Sequence, residues 1–188
     1  NITYAALGDL LQYWTFFPAP DGWGRVPVWG YADVRESTVD AVPVGTRVYG
    51  YLPMSDDLVV TPGRIDDEGF TDASPHRASM AGAYNRYQRV VAGDERDPAA
   101  EDRQMLLYPL FFTSFLIDDL LADLAFGGAG SVILSSASSK TAIGTAFQLR
   151  SRDVDVVGLT SPGNVAFVEG LGVYDLVVAY PELGHLPG

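Results

Sequence analysis

The chain of 188 residues has no cysteine, and its one lysine, Lys140, stands beside eleven arginines. Without thiols there is no disulfide, thiolate ligand or thiol nucleophile, so the redox compartment is not written in the sequence and a cytoplasmic setting is the default expectation. Histidine is scarce as well. His76 and His185 alone cannot assemble a Cys/His zinc site, so no zinc is expected. Basic residues number 12 against 24 acidic ones, a formal charge of −12. Such a surface repels phosphate backbones, which excludes nucleic acid as a partner and disfavours acidic membranes. A long hydrophobic run is also missing. The longest uncharged apolar stretch, Met105 to Ile117, is shorter than the roughly 20 residues that cross a bilayer, and Pro109 interrupts it. No signal peptide is visible, and no membrane partner is expected. The acidic clusters Asp56-Asp57, Asp66-Asp67-Glu68 and Asp118-Asp119 lack the alternation and closing Glu of a calcium loop and read as solvated faces.

The most informative segment that is present runs from Ser131 to Arg150, SVILSSASSKTAIGTAFQLR. Val132, Ile133 and Leu134 form a short apolar run of the kind buried in a parallel sheet. Ser135 to Ser139 cannot extend that face, and their hydroxyls suit a helix cap. Ala142, Ile143, Ala146, Phe147 and Leu149 then recur at helical spacing. The start of such a helix offers free N–H groups and partial positive charge to a phosphate or diphosphate. Lys140 in the first turn opposes the helix dipole unless an anion sits there, so an anion contact and a solvated surface lysine both stand open. This makes Ser136, Ser138, Ser139, Lys140 and Thr141 candidate ligand contacts. A Walker loop fails, because its glycine positions fall on Leu134 and Ser139, and a Ser-x-x-Lys acyl-transfer motif fails on Ala137.

A second strand is predicted over Asp155 to Thr160, followed by the turn Ser161-Pro162-Gly163-Asn164, a short helix from Val165 to Leu171 ended by Gly172, and a third strand over Leu176 to Ala179. The order is βαβαβ, the mononucleotide-binding half of a doubly wound parallel sheet. An NAD site usually has Asp or Glu at the end of the second strand. Thr160 and Ser161 stand there, leaving room for a 2′-phosphate and favouring NADP. Arg150 and Arg152 precede that strand and lie at its opposite end.

Upstream, strand-like runs over Val26–Val34, Arg47–Leu52, Leu58–Thr61 with a Pro62-Gly63 turn, and Tyr87–Val91 suit a small β-barrel. A charged stretch, Ala92 to Arg103, reads as a linker or loop. Tyr4, Tyr13, Trp14, Phe16, Phe17, Trp23, Trp29 and Tyr31 crowd the first part of the chain. They can fill a core or line a pocket for a planar substrate.

Taken in order, YPLFFTSF at Tyr108–Phe115, SVILSSASSKTAIGTAFQL, VVGLTSPGNVAFVEGLGVYDLVVAY and the hairpin VPVGTRVYGY at Val42–Tyr51 resemble the medium-chain dehydrogenase/reductase superfamily in its zinc-less, quinone-oxidoreductase-like branch. SSASSKTA further resembles an uncharacterised bacterial family, a domain of unknown function, within it. The resemblance implies an α/β fold with a GroES-like barrel portion over residues 1–103 and the first half of a Rossmann-type sheet over 104–188. It also implies that the chain is a fragment, opening on NITY from inside the barrel and drawing only three of about six strands. It places Thr113 beside the nicotinamide and Asn164 and Tyr180 near a 2′-phosphate, and makes Tyr4 a proton-donor guess outside the candidate set. The departure is the loop itself, where Ser139, Lys140 and Ala142 replace the superfamily's glycines. The expected function is NADP-dependent reduction of a small carbonyl, enone or quinone, with a small-molecule substrate and a homodimer admitted. The alternative is a pseudo-enzyme or binding module that has lost the cofactor.

Overall fold

The computed structural model describes residues 6–10, 12–90 and 97–185. The chain divides into two compact units that meet between Met105 and Leu106.

In the first unit, β1 (Pro27–Asp33), β2 (Arg47–Pro53), β3 (Pro62–Asp66), β4 (Gly69–Asp72) and β5 (Arg86–Arg89) form an antiparallel sheet in the order β1-β2-β5-β4-β3. Its first hairpin sets Trp29 opposite Tyr51 and Tyr31 opposite Tyr49, with ring centroids 5.2 and 5.1 Å apart. Cross-strand aromatic pairs of this kind fix register as well as bury area. The glycines between them, Gly30 and Gly50, also pair. A Cβ on Gly50 would come within 2.5 Å of the Tyr87 ring, so the small residue is what lets Tyr87 enter the core beside Val48 and Phe70.

Under the sheet lies a buried polar network. Arg77, fully buried, donates through Nε to Asn85 (2.9 Å) and through Nη1 to Tyr87 Oη (3.3 Å) and Asp72 (3.5 Å). Its guanidinium also lies 5.5 and 5.0 Å from the Phe16 and Phe17 ring centroids. Tyr87 in turn donates to the Tyr51 carbonyl at 3.0 Å, and burial pushes its phenol up to about 12.

Three upstream expectations are corrected. Leu58–Thr61 is not a strand and Pro62-Gly63 is not its turn: Pro62 opens β3, where a missing N–H at a strand's first residue is tolerated. The turn lies farther on, where Asp66 Oδ1 accepts from Glu68 N (3.0 Å) and Gly69 N (2.9 Å), and β4 follows it. The supposed linker Ala92–Arg103 is helical in its described part, for α1 (Pro98–Asp123) starts at Pro98 with Asp97 accepting from Ala99 N at 2.9 Å. Its charges are used: Glu101 takes a bidentate pair from Arg47 at 2.8 and 2.7 Å, which holds that guanidinium well above its ordinary value. Ala92 to Arg96 and Tyr4 lie outside the described residues.

α1 also continues through Pro109. By length and composition alone it is long and apolar enough to cross a membrane, and little of it is buried. Asp118 is a further correction. It is buried and takes Arg152 Nε and Nη2 at 3.0 and 2.6 Å rather than facing solvent.

In the second unit β6 (Ser131–Leu134), β7 (Asp155–Thr160) and β8 (Leu176–Ala179) form a parallel sheet in that order, linked by α2 (Lys140–Leu149) and α3 (Val165–Gly170). Its apolar spacing lays Ala146 and Leu149 of α2 against Val156, with Val132, Leu134 and Leu121 of α1 around them.

Candidate functional site

The C-terminal ends of all three parallel strands carry the polar residues singled out from sequence: the Ser135–Ser139 bend after β6, Ser161 and Asn164 after β7, and Tyr180 after β8. Ligands of open parallel sheets gather at that end, because helix N-termini face it.

The bend is shaped by small residues and by Gly158. Ala137 is fully buried; its N–H donates to the Leu159 carbonyl at 2.9 Å and its carbonyl accepts from Tyr174 Oη at 2.8 Å. A Cβ on Gly158 would come within 2.8 Å of the Tyr174 ring and 3.0 Å of Ala137 Cβ. Burial pushes the Tyr174 phenol up to about 12, so it stays a neutral donor. Ser139 is the N-cap, its hydroxyl accepting from Ala142 N at 3.2 Å while its carbonyl accepts from Ile143 N at 2.9 Å. The amide of Ser136 donates to Tyr180 Oη at 2.8 Å, and that of Ser139 to the Ser136 carbonyl at 2.7 Å. The amides of Ser138, Lys140 and Thr141 find no acceptor among the described residues. Lys140 is exposed, and its ammonium makes no ion pair or hydrogen bond among them. Three backbone donors and an exposed lysine thus belong to the start of a ten-residue helix.

The structure links four of the sequence candidates directly. Ser136 bonds Tyr180, and Asn164 Nδ2 donates to Ser138 Oγ at 3.3 Å. Ser139, Lys140 and Thr141 are contiguous with them. Ser161 is exposed at the end of β7, whereas Thr160 is 1% exposed and faces the interior. Thr113 lies on α1, where its hydroxyl donates to the Pro109 carbonyl at 3.0 Å.

Sequence reasoning missed the residue beside it, Ser114, whose hydroxyl lies 2.8 Å from the Thr141 carbonyl and 2.6 Å from a Cβ built on Gly144. The small pair Ser114 and Gly144 is the signal that would have found this close approach of α1 and α2. Arg150 and Arg152 do lie away from the bend, lining a cavity of about 420 Å³ with Gly130, Asp153 and Asp155 at the other end of the strands. A second cavity, of about 310 Å³, belongs to the first unit and is lined by Phe16, Phe17, Arg25, Asp57, Asp72 and His76. Among the described residues no group of three His, Asp or Glu side chains is placed to hold a metal.

The family described as "Protein of unknown function (DUF2855)" matches residues 1–187, and the chain belongs to it. No curated protein matches. Among solved structures the chain is similar to Bacillus subtilis protein yhfP with NAD bound, at 19% identity and a TM-score of 0.40, over 87% of this chain and 54% of that one. It is also similar to a "probable oxidoreductase" from Mycobacterium abscessus, at 13% identity and a TM-score of 0.38, over 88% of this chain and 46% of that one. The chain thus spans about half the length of these structures.

Proposed function

We propose that this family member is the cofactor-holding part of a zinc-independent, NADP-dependent oxidoreductase that reduces a small carbonyl, enone or quinone. One observation carries the reading: the amides of Ser138, Lys140 and Thr141, which find no acceptor among the described residues, lie where α2 begins, and Lys140 is exposed there with no ion pair among those residues. Backbone donors at a helix start match a diphosphate, and a cation there is relieved of its conflict with the helix dipole once the anion arrives. The residues present therefore fit the group. The nicotinamide, when bound, supplies the hydride.

What the chain's own residues do is bind and orient. Ser136, Ser138 and Ser139 set the bend, and Lys140 and Thr141 hold the diphosphate. Ser161, Asn164 and Tyr180 line the place where a ribose 2′-phosphate would sit, with Thr160 supporting them from inside. The absence of an acidic residue after β7 supports NADP over NAD. Thr113, whose hydroxyl donates a hydrogen bond to Pro109 O, keeps acceptor capacity toward a carboxamide. A small-molecule substrate, a cytoplasmic setting and a homodimer belong to the same reading.

The test is a fluorescence titration of the full chain with NADPH and with NADH. Saturable quenching in the micromolar range, tighter for NADPH and weakened about tenfold by Lys140→Ala, supports the reading. No response up to millimolar overturns it in favour of a non-catalytic module.

A further inference from the structure

Ser136 is a serine in a conformation that L residues avoid, with φ +51°. In the left-handed region a side chain crowds the following carbonyl, which is why turns of this kind ordinarily use glycine. Around it the backbone is pinned on every side. Its N–H donates to Tyr180 Oη (2.8 Å), its carbonyl accepts from Ser139 N (2.7 Å), and the next residue is held through Leu159 O (2.9 Å) and Tyr174 Oη (2.8 Å). Three of these four bonds come from backbone or from a half-buried phenol. The fourth is a long-range tether from an exposed side chain that follows β8, at the far side of the sheet from β6.

We infer that Tyr180 is a positioning residue for the bend: by accepting the Ser136 amide, its hydroxyl holds a serine in the shape that glycine would adopt unaided. This rests on the nucleotide reading above and goes beyond it, because it explains how a turn without glycines presents its amides in register. As acceptor, Tyr180 keeps its own phenolic proton, which it can donate to a ligand oxygen. A direct contact and a tether therefore predict different rescue behaviour. Replacing the strained serine by glycine repairs a lost tether but cannot replace a lost contact.

The experiment compares the full-length wild type, Tyr180→Phe, Ser136→Gly and the double variant. NADPH affinity is read by fluorescence, and the exchange rate of the Ser136 amide is read by NMR in the free protein. Tyr180→Phe should bind NADPH roughly 3- to 10-fold more weakly, the scale of one hydrogen bond. With Ser136→Gly as its own reference, the double variant should bind within about twofold of Ser136→Gly, so that the loss caused by Tyr180→Phe disappears in that background. In Tyr180→Phe the Ser136 amide should exchange faster without any nucleotide present. A double variant several-fold weaker than Ser136→Gly, or an exchange rate unchanged by Tyr180→Phe, overturns the inference. If the wild type fails to bind NADPH, the functional reading falls, and the exchange rates still decide the tether.

Discussion

Arg77 of the first unit and Lys140 of the second are both cations close to hydroxyl groups, yet their surroundings are opposite. Arg77 is enclosed, with Asp72, Asn85, Tyr84 O and Tyr87 as partners and two phenylalanine rings beside it. Lys140 is exposed, with no partner among the described residues and unpaired amides alongside. A satisfied buried charge is a device of architecture, and breaking it shows as lost stability. Donors left unpaired at the surface cost the fold little and are available to a ligand. The antiparallel unit consumes its polar groups internally, and the parallel unit keeps a set of them facing out at the ends of its strands.

The largest effect should come from cutting the enclosed cation. Arg77→Met leaves Asp72 buried without its countercharge and should lower the unfolding free energy by about 3 to 5 kcal/mol in urea denaturation. A loss below about 1 kcal/mol would erase the contrast with Lys140.

Next is the alkaline response of the same network. Tyr87 has its folded value raised from 10.0 to about 12, chiefly by burial. A raised folded value means that its contribution is whole below pH 10 and is lost as pH climbs toward 12, where the unfolded chain ionises first. The loss is about 2 to 3 kcal/mol over that window. Tyr87→Phe should flatten that part of a stability-against-pH curve, and a curve unchanged by the substitution would contradict the assignment.

The smallest effect sharpens the comparison from the other side. Thr145 of α2 is 1% exposed with a hydroxyl that has no partner among the described residues, so Thr145→Val should leave thermal stability unchanged or raise it by up to about 1 kcal/mol. A clear loss would mean that the Thr145 hydroxyl contributes to the fold.

Much of the second unit could be read from the chain because its signals are local. The apolar triplet Val132–Leu134, the capping Ser139, and the turn from Ser161 to Asn164 each act within a few residues, and the elements form where those signals sit. What escaped was long-range. β4 is short and takes its place by pairing with β5, α1 recruits its charged first turn through Arg47, which lies 54 residues before Glu101, and the Arg77 network joins loops by shape rather than by pattern. At the bend, the hydroxyls and Lys140 were legible as a group. The bond from Ser136 to Tyr180 was not, since no spacing in a sequence reports a left-handed φ.

Nucleotide binding at the start of α2 is read out by an amide-resolved NMR titration of the full chain with NADPH. The largest shifts should fall on the Ser138, Lys140 and Thr141 amides, and Lys140→Ala should weaken the response at all three together. Shifts confined to the first unit, or none at the start of α2 with saturating nucleotide, would contradict binding there.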